Sequence, residues 1–344
     1  MNISTSEEFL KDKIRVGING FGRIGRNLFR LLLDHPHIEV TAINDVADAQ
    51  TLAHLLKYDS IHGVLHRDIS TTGSTIVIDA MEFLVSAAKH PSEIDWSGRK
   101  VDIVIESTGK FRTRDLLEPH LQKGVIKVIL SVPPQDDSIK MVVQGVNDHI
   151  LDGTEDIISN ASCTTNNAAP MMKVVHELCE IEQAYITTVH SYTTDQSLHD
   201  QPHKDLRRAR AATQSIVPTT TGAAKALTSI FPELSEVIGG CGIRVPVPNG
   251  SLTDMTLRVK RTTSIEEVNA AFKKASENSL KRYLQYTEDP IVSMDIKDNP
   301  HSCIFDAQMT SVIGGNFIKI IGWYDNEIGY SSRLIDLISL VSNK

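Results

Sequence analysis

The sequence predicts an α/β protein, in which a doubly wound parallel sheet is followed by a second domain of the α+β class. Three observations support this prediction. The chain has 344 residues, which is the length of two ordinary domains. Through the first half, apolar strand-like runs alternate with amphipathic runs, as they do in repeated βαβ units. Beyond residue 163 this alternation is lost, and strand-like and helix-like runs follow one another irregularly.

Short apolar runs mark the strands of the first half. The predicted strands are Ile14–Ile18, Ile38–Ile43, Val101–Glu106, Ile126–Leu130 and Met141–Gly145. Between the first two strands, the run Arg23–Leu33 has its apolar side chains at helical spacing, at Ile24, Leu28, Leu31 and Leu32. A strand, a helix and a second strand in this order predict parallel pairing of the two strands.

The second half has a different pattern. A helix-like stretch follows Cys163, and a long polar and basic segment runs from His190 to Arg210. The remaining predicted elements are strands at Ala184–Val189, Ser251–Lys260 and Phe317–Trp323, and helices at Ile265–Leu280 and Ser331–Val341. Because the sequence contains no obvious linker or repeat, we expect the domain boundary near Cys163, with the active site between the domains.

Composition and charge narrow the class of function. The formal net charge of −8 gives no support to nucleic-acid binding. The four cysteines are widely and irregularly spaced, which predicts neither a disulfide framework nor a metal site and favours reduced thiols in a cytosolic compartment. The first dozen residues lack a basic n-region and a long apolar core, which argues against a secretory signal, and we assign this extension no function. No apolar run approaches the roughly 20 residues needed to span a membrane.

A glycine motif predicts a dinucleotide site at the end of the first strand. Gly20, Gly22 and Gly25 have GxGxxG spacing, follow a strand and open a helix, which is the context of a Rossmann-type fold. Glycines let the backbone approach a pyrophosphate, and the helix N-terminus binds its charge. Asp45, after the second strand, is placed to accept hydrogen bonds from an adenosine ribose and to repel a 2′-phosphate, so NAD is favoured over NADP. The alternative for Asp45 is a solvated loop aspartate.

A cysteine and a histidine predict the reacting centre. Cys163 lies where a helix begins, and the positive end of the helix dipole favours its thiolate, which is the nucleophilic form. His190 ends an apolar run, and a histidine at a strand end can reach a cysteine across a cleft and activate it. Cys179, Cys241 and Cys303 are interpreted as packing or incidental surface residues.

Arginines and hydroxyl-rich loops suggest anion binding. The basic segment 204–210 is followed by Pro218–Gly222 and by Gly242–Pro246, which contains Arg244. Guanidinium and backbone N–H groups bind phosphate in a fixed geometry, so these segments are candidate phosphate sites. Taken alone, the basic segment is also compatible with a solvated face or a nucleic-acid patch.

Together these motifs resemble the phosphorylating glyceraldehyde-3-phosphate dehydrogenase family along nearly the whole chain, except for the N-terminal extension. The matching segments are Ile18–Arg26, Leu56–Gly63, Ala161–Asn166, Val189–Thr193, Asp205–Ala212, Pro218–Lys225, Arg244–Asn249 and Trp323–Glu327. The resemblance implies an NAD-binding domain over residues 1–162, completed by a C-terminal helix at 327–344, and a catalytic domain over residues 163–326. It also implies a homotetramer, in which Ser191–Gln214 packs between subunits.

The resemblance also implies individual roles. Cys163 would be the nucleophile and His190 the acid and base that activates it. Residues implied to contact NAD, beside the glycines, are Asp45, Arg23, Ile24, Lys89, Ser131 and Asn326. Residues implied to form two anion sites are Ser162, Thr164, Thr193, Arg208, Thr221, Gly222 and Arg244. One site would hold the phosphate of an aldehyde substrate and the other inorganic phosphate, so that a thioester on the cysteine is converted to an acyl phosphate.

Two positions depart from the family pattern, and three alternatives stay open. Asn167 stands where the family usually has a second cysteine, so a disulfide within that pair is impossible, and Ile328 stands where many members have tryptophan. The alternatives are erythrose 4-phosphate as substrate, use of NADP in the gluconeogenic direction, and a non-catalytic redox or binding protein on the same scaffold. The intact nucleophile, base and cofactor positions argue against the last alternative.

Overall fold

The computed structural model describes residues 13–342, so the N-terminal extension lies outside the described residues. The strands of the first half are β1 (Ile14–Asn19), β2 (Ile38–Asn44), β3 (Tyr58–Asp59), β4 (Gly63–Val64), β5 (Ile69–Thr72), β6 (Thr75–Ile78), β7 (Met81–Ser86), β8 (Ile103–Glu106), β9 (Lys127–Leu130), β10 (Lys140–Met141) and β11 (Ile157–Ser159). The helices are α1 (Arg23–Leu32), α2 (Ala49–Lys57), α3 (Arg114–Leu117), α4 (Cys163–Cys179), α5 (Ala223–Ile230), α6 (Ile265–Glu277) and α7 (Ile328–Ser342).

The first sheet has nine strands in the order β10-β11-β9-β8-β1-β2-β7-β6-β5, while β3 and β4 pair with each other. All pairs from β10 to β7 are parallel, and β7, β6 and β5 form an antiparallel edge. One face packs on α1, α2 and α7, and the other face has its own apolar cluster around the buried Trp96. Because both faces are covered, the predicted doubly wound sheet is confirmed.

One predicted strand is wrong over most of its length. Only Lys140–Met141 pairs with a neighbouring strand, whereas residues 142–145 were also expected to be extended. Gly145 has a φ of +76°, and the Asn147 side chain accepts the N–H of Val143 at 2.7 Å. The N–H of Val142 still donates to the carbonyl oxygen of Ser159 at 2.8 Å, so strand pairing ends at Val143, where the Asn147 side chain replaces a backbone partner.

The second sheet contains the strands β12 (Ile181–Ser191), β13 (Val217–Thr219), β14 (Ile238–Val245), β15 (Ser251–Val259), β16 (Leu284–Thr287), β17 (Cys303–Asp306), β18 (Ser311–Ile313) and β19 (Phe317–Tyr324). The order β13-β14-β12-β15-β19-β17-β16 mixes parallel and antiparallel pairs, with β18 beside β19. Helices α4, α5 and α6 contribute to one apolar core beneath this sheet. The predicted α+β character is confirmed, although β14 was not among the predicted strands.

The first and last helices of the described residues meet in the first domain. Leu334, Leu337 and Ile338 of α7 are fully buried in the same cluster as Leu28 and Phe29 of α1. The chain thus returns to the first sheet after completing the second. Among the residues described, no helix is long and apolar enough to cross a membrane.

Candidate active site

The nucleophile candidate lies where the chain passes from the first sheet to the second. Cys163 is the first residue of α4, and Ser162 caps that helix by accepting the N–H of Thr165 at 3.1 Å. Ala161 has a φ of +56°, in the left-handed region, so the chain turns sharply before the helix. The half-buried thiol lines a cleft of about 440 Å³ between the two domains.

His190 reaches this thiol from the end of β12. Its Nε2 lies 3.5 Å from Cys163 Sγ, and its Nδ1 lies 2.7 Å from the carbonyl oxygen of Ser191. In the parallel register of β12 and β14, Arg244 is the direct partner of His190, and Nη1 of Arg244 lies 2.7 Å from Nδ1. If Nδ1 carries its proton and donates it to the Ser191 carbonyl, Arg244, which can only donate, bonds that same carbonyl oxygen at 3.0 Å. Nε2 then faces the sulfur with a lone pair. That tautomer can accept the thiol proton.

Burial governs the ionisation of this pair. Burial raises the pKa of the Cys163 thiol, against the opposing effects of Arg244 and Thr164. Burial, together with the charge of Arg244, lowers the pKa of His190 to about 3. Burial therefore opposes the thiolate that the start of α4 favours. In the chain alone the imidazole is neutral, which is the form that can accept a proton from Cys163.

A buried hydroxyl network supports the catalytic pair. The hydroxyl of Tyr324 lies 2.8 Å from Thr164 Oγ1 and 2.9 Å from Thr188 Oγ1, and its ring packs edge-on against His190. The network thereby links α4, β12 and β19. Thr164, which was expected to contact an anion, is buried and bonded to Tyr324. Sequence reasoning missed Tyr324 and Thr188, although Tyr324 lies in one of the matching segments.

Nine of the predicted site residues line the cleft. The predicted residues that line it are Arg23, Ile24, Ser131, Ser162, Cys163, His190, Thr193, Arg244 and Asn326. They come from both domains. Tyr192, Thr194 and Pro248 also line the cleft and were not singled out in the sequence. Because they lie in loops after strands, no residue-type signal distinguished them.

A second hollow of about 180 Å³ lies at the carboxyl ends of β1 and β2, and Gly20, Gly22, Asp45 and Lys89 line it. A Cβ at Gly20 would lie 2.6 Å from the backbone nitrogen of Thr108, whereas a Cβ at Gly22 would meet no atom within 4 Å. The backbone is therefore packed on one side and open on the other. This is the geometry that a dinucleotide needs to approach the chain.

Two further contacts fix this glycine turn. A Cβ at Gly25 would lie 2.2 Å from the carbonyl oxygen of Gly20, so a glycine is required for α1 to pack against the turn. Asp45 accepts the N–H of Phe21 at 2.7 Å and the N–H of Ala47 at 3.0 Å. Its carboxylate is thus held at the rim of the hollow and is not a freely solvated loop group.

Asn326 is oriented by three donors. Its Oδ1 accepts hydrogen bonds from Ser191 Oγ at 3.0 Å, Ser251 Oγ at 3.0 Å and the N–H of Gly250 at 3.2 Å. Because the oxygen is fully occupied, the amide NH₂ group is the part of the side chain available to a ligand in the cleft.

Charged residues join the first domain to the segment that carries Asn326. Arg23 binds Glu327 through Nε at 2.7 Å and Asp59 through Nη1 at 2.5 Å. His62 lies between Glu327 at 2.8 Å and Asp298 at 2.6 Å. Burial opposes ionisation of His62, but these carboxylates outweigh it and raise its pKa. His62, Asp298 and Asp325 are close enough to share a metal ion, but both ring nitrogens already face carboxylates, so the group is interpreted as an ion-pair network.

The remaining predicted anion residues lie outside the cleft. Arg208 pairs with Asp195, and its Nη2 lies 3.5 Å from the carbonyl oxygen of Thr220. Gly222 lines a neighbouring hollow, and Thr221 accepts the N–H of Ala223 at 3.2 Å to open α5. The structure therefore places Arg244, but not Arg208, beside the catalytic pair.

Asn167, the departure from the family pattern, is buried in α4. Its Nδ2 donates to the carbonyl oxygens of Gly322 at 3.3 Å and Trp323 at 3.2 Å. Within the described residues all four cysteines are free thiols. The position that carries a thiol in many relatives thus serves here as a polar link between α4 and β19.

Two family models match the chain. The glyceraldehyde 3-phosphate dehydrogenase NAD binding domain matches residues 14–114, and the C-terminal domain of the same family matches residues 162–326. Glyceraldehyde-3-phosphate dehydrogenase 2 of Streptomyces avermitilis is 53% identical over 333 residues, which cover 96% of this chain and 99% of the relative. The glyceraldehyde-3-phosphate dehydrogenase of Geobacillus stearothermophilus is 50% identical over 332 residues, with the same coverage. A Bacillus subtilis relative of this name is 48% identical, also over 332 residues.

Proposed function

The chain belongs to the glyceraldehyde-3-phosphate dehydrogenase family, and on that basis we propose that it oxidises glyceraldehyde 3-phosphate with NAD and phosphate to 1,3-bisphosphoglycerate. One observation carries the proposal. Cys163 Sγ lies 3.5 Å from His190 Nε2 in a cleft that extends to the predicted NAD residues Arg23, Ser131 and Asn326. A thiol, a base and a hydride-acceptor site are thus adjacent.

The first steps use the cysteine and the histidine. The Cys163 thiol transfers its proton to the neutral imidazole of His190, and the thiolate adds to the aldehyde carbon. The resulting oxyanion is stabilised by the N–H groups at the start of α4 and by protonated His190. His190 gives its proton to the oxyanion and removes it again as hydride leaves the carbon, which produces a thioester on Cys163. NAD, when bound, supplies the nicotinamide carbon that accepts this hydride.

The last step releases the product. A phosphate oxygen attacks the thioester carbon, the carbon–sulfur bond breaks, and Cys163 leaves as a thiolate. Arg244 stands beside His190 and carries the positive charge that an anionic substrate needs there. We propose Thr193, Ser162 and Arg244 as the inner anion site. Arg208, Thr221 and Gly222 would form the outer one, after a rearrangement that brings Arg208 to the cleft.

NAD is the cofactor of this family, and the hollow lined by Gly20, Gly22 and Asp45 supports a preference for NAD over NADP. The Asp45 carboxylate is held by two backbone N–H groups at the carboxyl end of β2, where the adenosine ribose would lie. A 2′-phosphate placed there would meet a fixed negative charge. Steady-state rates with NAD and with NADP test this role, and a preference for NADP would contradict it.

The aldehyde is tested directly. Rates of NADH formation with glyceraldehyde 3-phosphate and with erythrose 4-phosphate, each with and without inorganic phosphate, distinguish the two substrates. We expect phosphate-dependent turnover with the three-carbon aldehyde. Faster turnover of the four-carbon aldehyde would favour the alternative activity, and failure to bind NAD would favour a non-catalytic protein.

We further propose a homotetramer in the cytoplasm. Leu198, Leu206 and Ile216, in or beside the segment that was expected to pack between subunits, are 62%, 82% and 69% exposed. Apolar side chains so exposed on one segment favour burial against another subunit. Unpaired thiols favour a reducing compartment. Light scattering should give a tetramer mass that Leu206→Glu lowers, while Ile126→Glu, which changes a residue 60% exposed elsewhere, does not.

A further inference from the structure

Arg208, the guanidinium proposed for the outer anion site, is already paired with carboxylates. Its Nη1 binds Asp195, and its Nε lies 3.4 Å from Asp205. The Arg208 side chain is only 16% exposed, so these partners replace much of its water. A phosphate dianion that approaches this group meets two carboxylates bound to the guanidinium, although the charge of Arg244 also reaches Arg208. Binding therefore requires that one carboxylate leave.

The two carboxylates differ in freedom. Asp205 accepts the N–H of Arg207 at 2.9 Å and so is part of the turn that carries Arg208. The Asp195 side chain is 55% exposed, and its other ionic neighbour within the described chain is His203, at 4.0 Å. In the single chain Asp195 can thus leave Arg208 at a lower cost than Asp205, which cannot move without the turn.

Asp195 is also connected to the cleft. It follows Thr193 and Thr194, which both line the cleft, so a movement of this segment reaches the active site. The next residue, Gln196, is buried, and within the part of the chain that the structure describes neither polar atom of its side chain has a hydrogen-bond partner. A buried amide without partners is costly, so a second arrangement of the segment can gain bonds that this one lacks.

We propose that Asp195 is an internal competitor for phosphate at Arg208 and selects a dianion over weaker anions. With no phosphate bound, its carboxylate occupies the guanidinium. A phosphate dianion, either free or carried by the aldehyde, displaces the Asp195 carboxylate. A monovalent anion binds Arg208 too weakly to offset the loss of that ion pair. This inference rests on the proposed function, because that function requires a phosphate at this place. It adds a specificity-determining residue to the anion sites.

The chain provides a matched control. Asp200 lies on the same segment and pairs with Arg210 at 3.0 Å, and both side chains of that pair are more than 60% exposed. Asp200→Asn therefore makes the same change in net charge without touching Arg208. Asp195→Glu keeps the competing charge, and Asp195→Ser removes it with a smaller side chain, in case the asparagine variant does not fold.

The experiment measures Michaelis constants in the full-length protein, with inorganic phosphate and then the aldehyde phosphate varied. We expect Asp195→Asn and Asp195→Ser to lower the KM of one of these by about 3- to 10-fold, the scale of one partly exposed ion pair. Inhibition by chloride should strengthen in the same variants. Asp195→Glu and Asp200→Asn should resemble the wild type. The substrate whose KM falls identifies the source of the phosphate at Arg208.

Two results overturn the inference. The first is that neither KM falls in the Asp195 variants, or that one rises, which would make Asp195 a support of the site. The second is that Asp200→Asn reproduces the effect. The fall in KM would then come from the loss of one negative charge and not from the contact with Arg208. The burst of NADH with aldehyde and no phosphate distinguishes this failure from failure of the proposed function. A normal burst with unchanged Michaelis constants excludes only the role of Asp195. The absence of a burst in the wild type excludes both that role and the proposed function.

Discussion

Two glycines of the dinucleotide turn should fail in different ways when each receives a side chain. In Gly25→Ala, the new Cβ would lie 2.2 Å from the carbonyl oxygen of Gly20, more than 1 Å inside ordinary contact, and both atoms belong to packed backbone. Overpacking of this kind costs about 1–3 kcal/mol or more. Alanine recovers about 1 kcal/mol through its helix propensity. Because an approach of 2.2 Å belongs at the upper end of this range, we expect a net loss of about 2 kcal/mol or more in the free energy of unfolding.

Gly22→Ser is the matched variant. Its Cβ would meet no protein atom within 4 Å, and residue 22 is the N-cap of α1, where serine is favoured. Stability should therefore be unchanged or slightly higher. The side chain would instead occupy the open side of the turn, where the pyrophosphate approaches. We expect NAD affinity to fall about 10-fold or more, which corresponds to about 1.4 kcal/mol.

Urea unfolding and calorimetric titration with NAD separate the two effects. We expect Gly25→Ala to lose stability, because its Cβ has no space. We expect Gly22→Ser to lose NAD affinity without losing stability. It is refuted if Gly22→Ser binds NAD as the wild type does, since the open side of the turn would then not face the cofactor. A wild-type unfolding free energy for Gly25→Ala would show that α1 can move away from the turn.

Three further predictions concern the reacting pair and the domain contact. Cys163→Ser should reduce aldehyde oxidation to background while NAD binding is kept, since a serine hydroxyl is far less acidic and less nucleophilic than a thiol; substantial NADH formation would exclude the nucleophile role. His190→Asn should lower kcat/KM by about 10² or more, and an unchanged value would remove it from the mechanism. The pKa of His62 is raised in the folded chain, so its stabilisation is complete below the unfolded value of 6.5 and is lost as the pH rises through the folded value. The stability difference between wild type and His62→Asn should therefore shrink with rising pH, and a difference that grows in urea unfolding would contradict this.

The site was predictable where its chemistry depends on neighbours in sequence. The glycine spacing, the strand before it and the helix after it are local, and they specify the dinucleotide turn with Asp45 at the end of the next strand. Cys163 at the start of α4 is likewise a local feature, because Ser162 caps the helix. The alternation of strands and helices in the first half, and its loss in the second, were enough to predict the class of both domains.

Other parts depend on which strands lie side by side. Arg244 faces His190 because β12 and β14 pair in parallel register across 54 residues of sequence, and no local pattern encodes that register. Tyr324 reaches Thr164 from the far end of the chain for the same reason. Residues 142–145 look like a strand in sequence, but a side-chain bond from Asn147 ends the strand pairing at Val143.

The sequence by itself determined the candidate residues of the site. They are a glycine turn predicted to bind NAD, a cysteine at a helix start, a histidine at a strand end, and arginines predicted to bind anions. The tertiary structure decided which of these meet and in what electrostatic state. It placed Arg244, but not Arg208, beside the catalytic pair, and it occupied Arg208 with Asp195. Burial made His190 neutral and opposed the thiolate, which a helix dipole alone would have favoured. Pairing register and desolvation are properties of the packed chain, and local spacing does not contain them.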